Sequence, residues 1–557
     1  MPHRKSLLTA FAIALALVAG LYLSGYLALR LLGLPAGLLH WHTYIDYLRA
    51  LPLPRLQPYA RRIWIAGGIG FGIVLAIAIA LLVGLLRPAR KSLHGDARFA
   101  SRRDLARRGL LKPAHDGIIV GQYRGRLLRL SGQQSVVLAA PTRSGKGVGI
   151  VVPNLLAYRE SMVVLDIKQE NFALTSGWRA RQGHAVYLFN PFADDGRSHR
   201  WNPLRYVADD PARRVGDLMA IAAMLYPDAG DEQKFWVSQA RNAFLAFALF
   251  LFENREDEAR LGFPVQVPAP SLGGVFRLAT GDGQRMAREH IQWLGGREFL
   301  GDSARSAFAN LLSQADDTFA SILGSFREPL NAWINPVLDA ATSGDDFLLT
   351  DLRRRRMTIY VGIAPNRLAE SRVLVNLFFS QLINLNTRTL PQDDPSLKHQ
   401  CLLLMDEFTA IGKVEILASA IAFLAGYNLR LLPVIQSMAQ LDATYGKDVA
   451  RTILTNHALQ VIFAPREQRD ANDYSEMLGY TTVRRRTITR GREVSRSEVL
   501  ERRALLLPQE LKALGADRQV LLCEGLAHPA LCDKLRYYSD RRFRRRLLPR
   551  TAVPDLS

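Results

Sequence analysis

Lys146 stands in the run Ala139-Ala140-Pro141-Thr142-Arg143-Ser144-Gly145-Lys146-Gly147-Val148-Gly149. A lysine flanked by glycines between an apolar strand and an apolar helix is suited to holding nucleotide phosphates. Loop N–H groups point at phosphate oxygens, the helix N-terminus adds positive potential, and the ammonium reaches the β- and γ-phosphates. Thr142, Arg143, Ser144, Gly145, Lys146, Gly147 and Val148 are therefore the nucleotide-binding candidates, with ATP the expected ligand. Two positions depart from G-x-x-x-x-G-K-[ST]: Ala140 replaces the first glycine, and Gly147 stands where a hydroxyl normally ligates magnesium. The loop's own magnesium ligand is left unassigned.

Hydrolysis needs a second group of residues. The apolar run Cys401 to Met405 ends in Asp406-Glu407, the acidic pair that a nucleotide-hydrolysing sheet sets opposite its phosphate loop. Asp406 is the candidate for Mg2+, directly or through water, and Glu407 for orienting and deprotonating the attacking water. Leu429 to Ile435 runs into Gln436, whose amide can bond both water and phosphate and so sense the γ-phosphate. Asp166 and Lys168 lie at a third strand end and are weaker candidates for metal or substrate contact.

These residues must sit on one rim. SVVLAA (135–140), MVVL (162–165), AVYLF (185–189), MTIYVG (357–362), CLLLM (401–405), LRLLPVI (429–435), LQVIF (459–463) and VLLC (520–523) are short apolar runs alternating with helical stretches, the pattern of a parallel sheet covered on both faces. Ligands collect at the carboxyl ends of such strands. Residues 209–343 interrupt the pattern with helical periodicity over Phe235 to Glu253, Gln284 to Leu294 and Ala304 to Ala340. The expected organisation is a discontinuous α/β domain over 92–208 and 344–557 with an inserted all-α domain over 209–343.

At 557 residues with 48% hydrophobic content the chain has room for two or three domains. Its apolar excess is concentrated near the N-terminus. Leu7 to Leu29 and Ile63 to Leu86 carry no formal charge, and each exceeds the roughly 20 helical residues that cross a bilayer. A two-helix membrane anchor over 1–91 follows; a cleaved signal peptide is the alternative for the first run. Arg4 and Lys5 precede the pair, and Arg87, Arg90 and Lys91 follow it, which predicts both ends in the cytoplasm. Trp41, Tyr44 and Tyr47 between the runs are expected at or beyond the far interface. Gly68 and Gly72 have the spacing that packs helices face to face.

Net charge of +21 and a pI near 10.1 point to acidic partners, nucleic acid or anionic lipid. The basic clusters are Arg353 to Arg356, Arg484 to Arg486 with Arg490 and Arg492, and Arg541 to Arg546. Three cysteines without metal spacing exclude a disulfide framework and suit a reducing compartment.

The order APTRSGKGVG, LDIKQEN, NPF, WNPL, LLLMDEFTAIGK, IQS resembles the type IV secretion coupling proteins, the TraG/TraD-like conjugation and secretion ATPases, from about Leu93 to about Cys523. That resemblance implies a RecA-like P-loop core, a homo-hexamer, an inner-membrane anchor beside the channel components, and cargo of protein effectors, relaxase-bound DNA or both. It makes Gly147 an expected variant and gives Lys146, Asp406, Glu407 and Gln436 the phosphate, magnesium, water-activating and sensing roles. It also implies a subunit-bridging arginine, for which Arg430 and Arg451 are candidates. A docking receptor without motor activity and a DNA pump of the chromosome-segregation type are the competing readings.

Overall fold

The computed structural model describes residues 2–86, 93–228, 230–262, 267–281, 283–490 and 494–556. Arg87, Arg90, Lys91 and Arg492 lie outside them. The chain forms two compact units, one ending at Leu93 and one beginning at His94.

The first unit is a helical hairpin. Pro2–Leu31 and Ala60–Leu86 are its long helices, covering both expected spans. They meet through small residues: a Cβ at Gly70 would come within 2.8 Å of the Ser24 backbone nitrogen, and one at Gly20 within 2.6 Å of the Phe71 ring. Gly68 and Gly72 meet nothing within 4 Å, so the close approach uses the helix face bearing Gly67 and Gly70 instead. The connection is itself partly helical, over Thr43–Ala50. Tyr44 is not at an interface but buried against Gly67, its hydroxyl donating to the Ile63 carbonyl at 3.2 Å. Leu15, Leu17, Trp64 and Leu75 are exposed around the outside, an apolar surface that water does not tolerate over such an area.

The second unit is built on an eleven-stranded sheet. Thirteen strands follow in chain order: β1 Ile118–Tyr123, β2 Arg126–Leu130, β3 Val136–Ala139, β4 Ser161–Asp166, β5 Ala185–Phe189, β6 Met357–Gly362, β7 Cys401–Met405, β8 Leu429–Ile435, β9 Leu459–Ile462, β10 Tyr480–Arg490, β11 Val494–Ala504, β12 Arg518–Cys523 and β13 Ala530–Asp533. The sheet order is β2-β1-β13-β12-β9-β3-β8-β7-β4-β6-β5. From β9 to β5 all strands are parallel, as their unbroken apolar runs require when both faces are covered. The sheet is nevertheless mixed, because β12, β13, β1 and β2 continue it antiparallel.

Alternate residues divide two cores. Val137, Val163, Leu165, Leu403 and Ile435 face one side, where the core runs on through Trp201 and Phe378 into Phe244, Phe247 and Phe308 of the helical segment. Leu138, Val164, Leu404 and Val434 face the other, against Ile150, Leu155 and Phe172. The 27-residue helix Lys234–Arg260 is apolar enough to cross a bilayer by composition, but its Ala243, Phe244, Phe247 and Phe250 are core residues. The expected single helix from Ala304 to Ala340 is in fact Asp302–Leu312, Asp316–Arg327, a 3-10 turn at Glu328–Ile334 and Pro336–Ala341. Pro329 and Pro336 cannot donate within a continuing helix.

His457, just after the helix Lys447–Thr455, is buried with its Nδ1 2.6 Å from the Ile453 carbonyl. Burial lowers its pKa to about 4. Below pH 6.5 the unfolded chain therefore takes up a proton that the folded chain refuses, and stability falls as pH drops from 6.5 to 4, by up to about 3 kcal/mol for this group. His457→Gln is expected to flatten that part of the acid limb in thermal unfolding measured across pH.

Two features lie outside the sheet. β10 and β11 pair antiparallel without a slip over eleven residues each, as a separate two-stranded ribbon. The last residues return across the helix Glu170–Arg181: a Cβ at Gly177 would meet the Pro549 carbonyl, Thr551 N donates to Ser176 Oγ at 3.2 Å, and Arg197 pairs with Asp555 at 3.0 Å.

Candidate nucleotide site

β3 ends at Ala139, and the loop that follows is shaped by left-handed residues. Arg143 has φ 57° and Gly145 φ 87°, an alternation that turns successive N–H groups inward into an anion-binding concavity. Ala140 N donates to the Ile435 carbonyl at 2.8 Å, fixing the loop's start to the end of β8. A π-type turn at Gly147–Val151 leads into the helix Val152–Ala157. Buried Asn154 pins that helix, accepting from Ile119 N at 2.7 Å and donating to the Ile119 carbonyl at 2.9 Å. Nothing lies within 4 Å of a Cβ built on Gly147, so the absent side chain there is not a matter of space.

Strand order assembles the rest. β8 lies between β3 and β7, so Gln436 at its end falls between the loop lysine and the acidic pair. Lys146 Nζ donates to Glu407 Oε1 and stands 3.1 Å from Asp406 Oδ1. Gln436 Nε2 donates to Glu407 Oε2 at 2.6 Å. Glu407 reaches this position from a left-handed backbone, φ 64°, a conformation uncommon for a non-glycine residue and concentrated at functional sites. The four residues singled out for chemistry in the sequence thus meet on one rim.

Burial raises the Asp406 pKa against the pull of Lys146. It also pushes Glu407 upward, but the hydrogen bonds from Lys146 and Gln436 and the lysine charge outweigh it, leaving Glu407 below the ordinary carboxylate value and ionised at neutral pH. Asp406 Oδ1 is out of hydrogen-bond alignment with the lysine and, with Ser144 Oγ, is an enclosed polar atom lacking a hydrogen-bond partner. A phosphate and a divalent cation would satisfy such atoms, so the donor set fits a metal-nucleotide ligand.

Other residues divide between site and scaffold. Asp166 is buried, with its oxygens taken by Asn171 N at 3.3 Å and Phe172 N at 2.8 Å at the start of the helix Glu170–Arg181; burial raises its pKa to about 7. Lys168 beside it is exposed. Arg430 is fully buried and donates to three carbonyls, Gln134 at 2.9 Å, Asp116 at 2.6 Å and Leu130 at 3.0 Å, which removes it as a subunit-bridging group. Arg451 is exposed on the helix Lys447–Thr455. Sequence reading missed Lys534 and Arg466. Lys534 Nζ donates to the Ser144 carbonyl at 3.3 Å and lies 3.8 Å from the Phe463 ring centroid, bracing the loop from below. Arg466 Nη1 lies 3.4 Å from Thr142 Oγ1. Only the antiparallel return of β13, invisible in a local pattern, brings Lys534 there.

Residues 89–555 match the family described as type IV secretory system conjugative DNA transfer. The VirD4 protein of Agrobacterium fabrum (strain C58 / ATCC 33970) is 31% identical over 497 residues, covering 86% of this chain and 71% of the relative. A conjugal transfer protein TraG of Escherichia coli is 28% identical over 525 residues, covering 86% and 79%. Among solved structures, the bacterial conjugative coupling protein TrwB in an unbound monoclinic form aligns with TM-score 0.58 at 19% identity, over 81% of this chain and 96% of that one. TrwB in complex with ADP and Mg2+ aligns with TM-score 0.56 at 18% identity, over 80% and 95%. The RecA-like α/β core read from the strand pattern is the fold they share, with a mixed central sheet. With its phosphate loop and acidic strand end inside the matched span, the chain belongs to the type IV secretory system conjugative DNA transfer family.

Proposed function

We propose that this protein is an inner-membrane coupling ATPase. It recruits cytoplasmic substrates, protein effectors or relaxase-bound DNA, to a type IV secretion channel and uses ATP hydrolysis to do so. The observation that carries the reading is the connected set Lys146, Glu407 and Gln436 at adjoining strand ends, with Asp406 beside it. In this reading Lys146 leaves the carboxylates for the β/γ-phosphates, and Glu407, held ionised, takes the proton of the attacking water. Gln436 orients Glu407 and reports the γ-phosphate through the same hydrogen bond. Loop amides from Thr142 to Val148 hold the phosphates, and Asp406 would hold Mg2+. Magnesium bound with ATP neutralises charge developing on the transferred phosphoryl group. That TrwB was solved with ADP and Mg2+ supports this reading.

The helical hairpin serves as a two-span anchor with both termini cytoplasmic, residues 209–343 as the all-α substrate-facing domain, and the working assembly is a homo-hexamer. Steady-state ATP turnover by the purified protein, alone and with DNA, tests the motor. Lys146→Ala should lower it at least ~100-fold, the scale on which removing one electrostatic stabiliser acts. Turnover indifferent to that change would leave only a docking receptor.

A further inference from the structure

The arginine-rich runs end in different surroundings. Arg353 is buried on Asn386 and the Thr389 and Tyr427 carbonyls. Arg354 pairs with Asp394 at 3.0 Å and Arg355 with Asp351 at 2.9 Å. Arg546 donates to the Leu156 carbonyl at 2.7 Å and lies against Trp178. Much of that charge is spent inside the fold. The remaining run lies on the ribbon β10–β11, where Tyr480 to Ala504 hold eight arginines against three glutamates.

Strand register sorts this charge, because residues alternate between faces and cross-strand partners share one. Thr482 is opposite Arg502, Arg484 opposite Leu500, Arg486 opposite Glu498, Ile488 opposite Arg496 and Arg490 opposite Val494. One face therefore carries Arg484, Arg486, Arg490, Arg496 and Arg502 with Glu498, and the aliphatic Ile488, Val494 and Leu500 between them. The other face carries Arg485 and Arg503, and glutamates take both: Arg485 with Glu501 at 3.4 Å and Arg503 with Glu510 at 2.5 Å. The ribbon's excess charge is thus one-sided.

Its root is tied to the first residues of the second unit. His94 N donates to Thr482 Oγ1 at 3.0 Å, Thr482 N to the Gly95 carbonyl at 3.1 Å and Ala97 N to the Tyr480 carbonyl at 3.1 Å. The apolar helix Ala60–Leu86 ends shortly before His94 in sequence, so chain length alone keeps the root within about 30 Å of that helix end. A ribbon of this length extends about 36 Å.

We propose that the five-arginine face of β10–β11 docks on the anionic phospholipid headgroups of the membrane holding the apolar helices. The inference rests on the anchor reading. Guanidinium forks match phosphate oxygens in pairs, and each basic residue near an anionic surface adds to the attraction. A nucleic-acid backbone offers the same phosphates, but a root one short connection from an apolar helix favours the lipid surface.

The full-length protein in nanodiscs tests this, with Ile488→Cys carrying an environment-sensitive nitrobenzoxadiazole dye; Cys401, Cys523 and Cys532 are buried. In discs with about 30% phosphatidylglycerol the emission should rise at least ~3-fold over pure phosphatidylcholine, and about 0.5 M NaCl should reverse it. The combined change Arg484→Glu, Arg486→Glu, Arg490→Glu and Arg496→Glu should abolish the rise. Equal emission in both discs overturns the proposal, as does a response to double-stranded DNA in neutral discs that anionic lipid does not reproduce. Co-elution with discs reports the anchor separately: a chain that enters discs with flat emission removes the ribbon contact alone, and one that does not enter removes both.

Discussion

Glu407→Gln is expected to lower ATP turnover by on the order of a thousandfold, the range in which a positioned general base contributes, while nucleotide still binds. The substitution keeps the shape of the side chain and removes its charge. Gln436 Nε2 now donates to Glu407 Oε2, and Lys146 donates to Oε1; an amide offers one accepting oxygen for those two donors and cannot take a proton from water. Lys146 also loses its nearest counter-charge and is freer to meet phosphate, so affinity for a fluorescent ATP analogue should hold or rise. Single-turnover phosphate release beside a binding titration separates the two effects. A rate within about threefold of the parent would take Glu407 out of the chemistry.

Arg430→Met should destabilise the second unit by ~3–5 kcal/mol, because a buried carbonyl left without its donor costs about 1–3 kcal/mol. Three carbonyls lose a donor at once: Gln134, Asp116 and Leu130. Arg430→Lys should be little better, since one ammonium cannot span three acceptors that a planar fork reaches. Thermal unfolding checks it. A normal melting temperature with loss of turnover confined to the assembled protein would return Arg430 to a role between subunits.

The sequence carried the site further than the fold. Lys146, Asp406, Glu407 and Gln436 were legible because each follows a buried apolar run, and residues at the carboxyl ends of parallel strands share a rim whatever their distance along the chain. Arg430 was misread for the same reason that Lys534 was missed: a side chain's partners are set by strand order, which local periodicity does not contain. The ribbon β10–β11 was hidden because its Thr and Arg positions give no apolar alternation. The breaks inside 304–340 were softer errors, since helix persists on both sides of each.

The place of β13 in the sheet also sets a timetable. In the sheet β1 has only β2 and β13 as neighbours, and Gln122 pairs with Asp533, so the β1–β2 hairpin completes its edge with one of the last segments the ribosome delivers. At about 5–20 residues per second, the intervening ~400 residues take tens of seconds to make. Throughout that interval the open edge of β1 is available to a strand from another nascent chain. Crowded translation of one message, rather than weak packing, is where this protein is most exposed to misassembly.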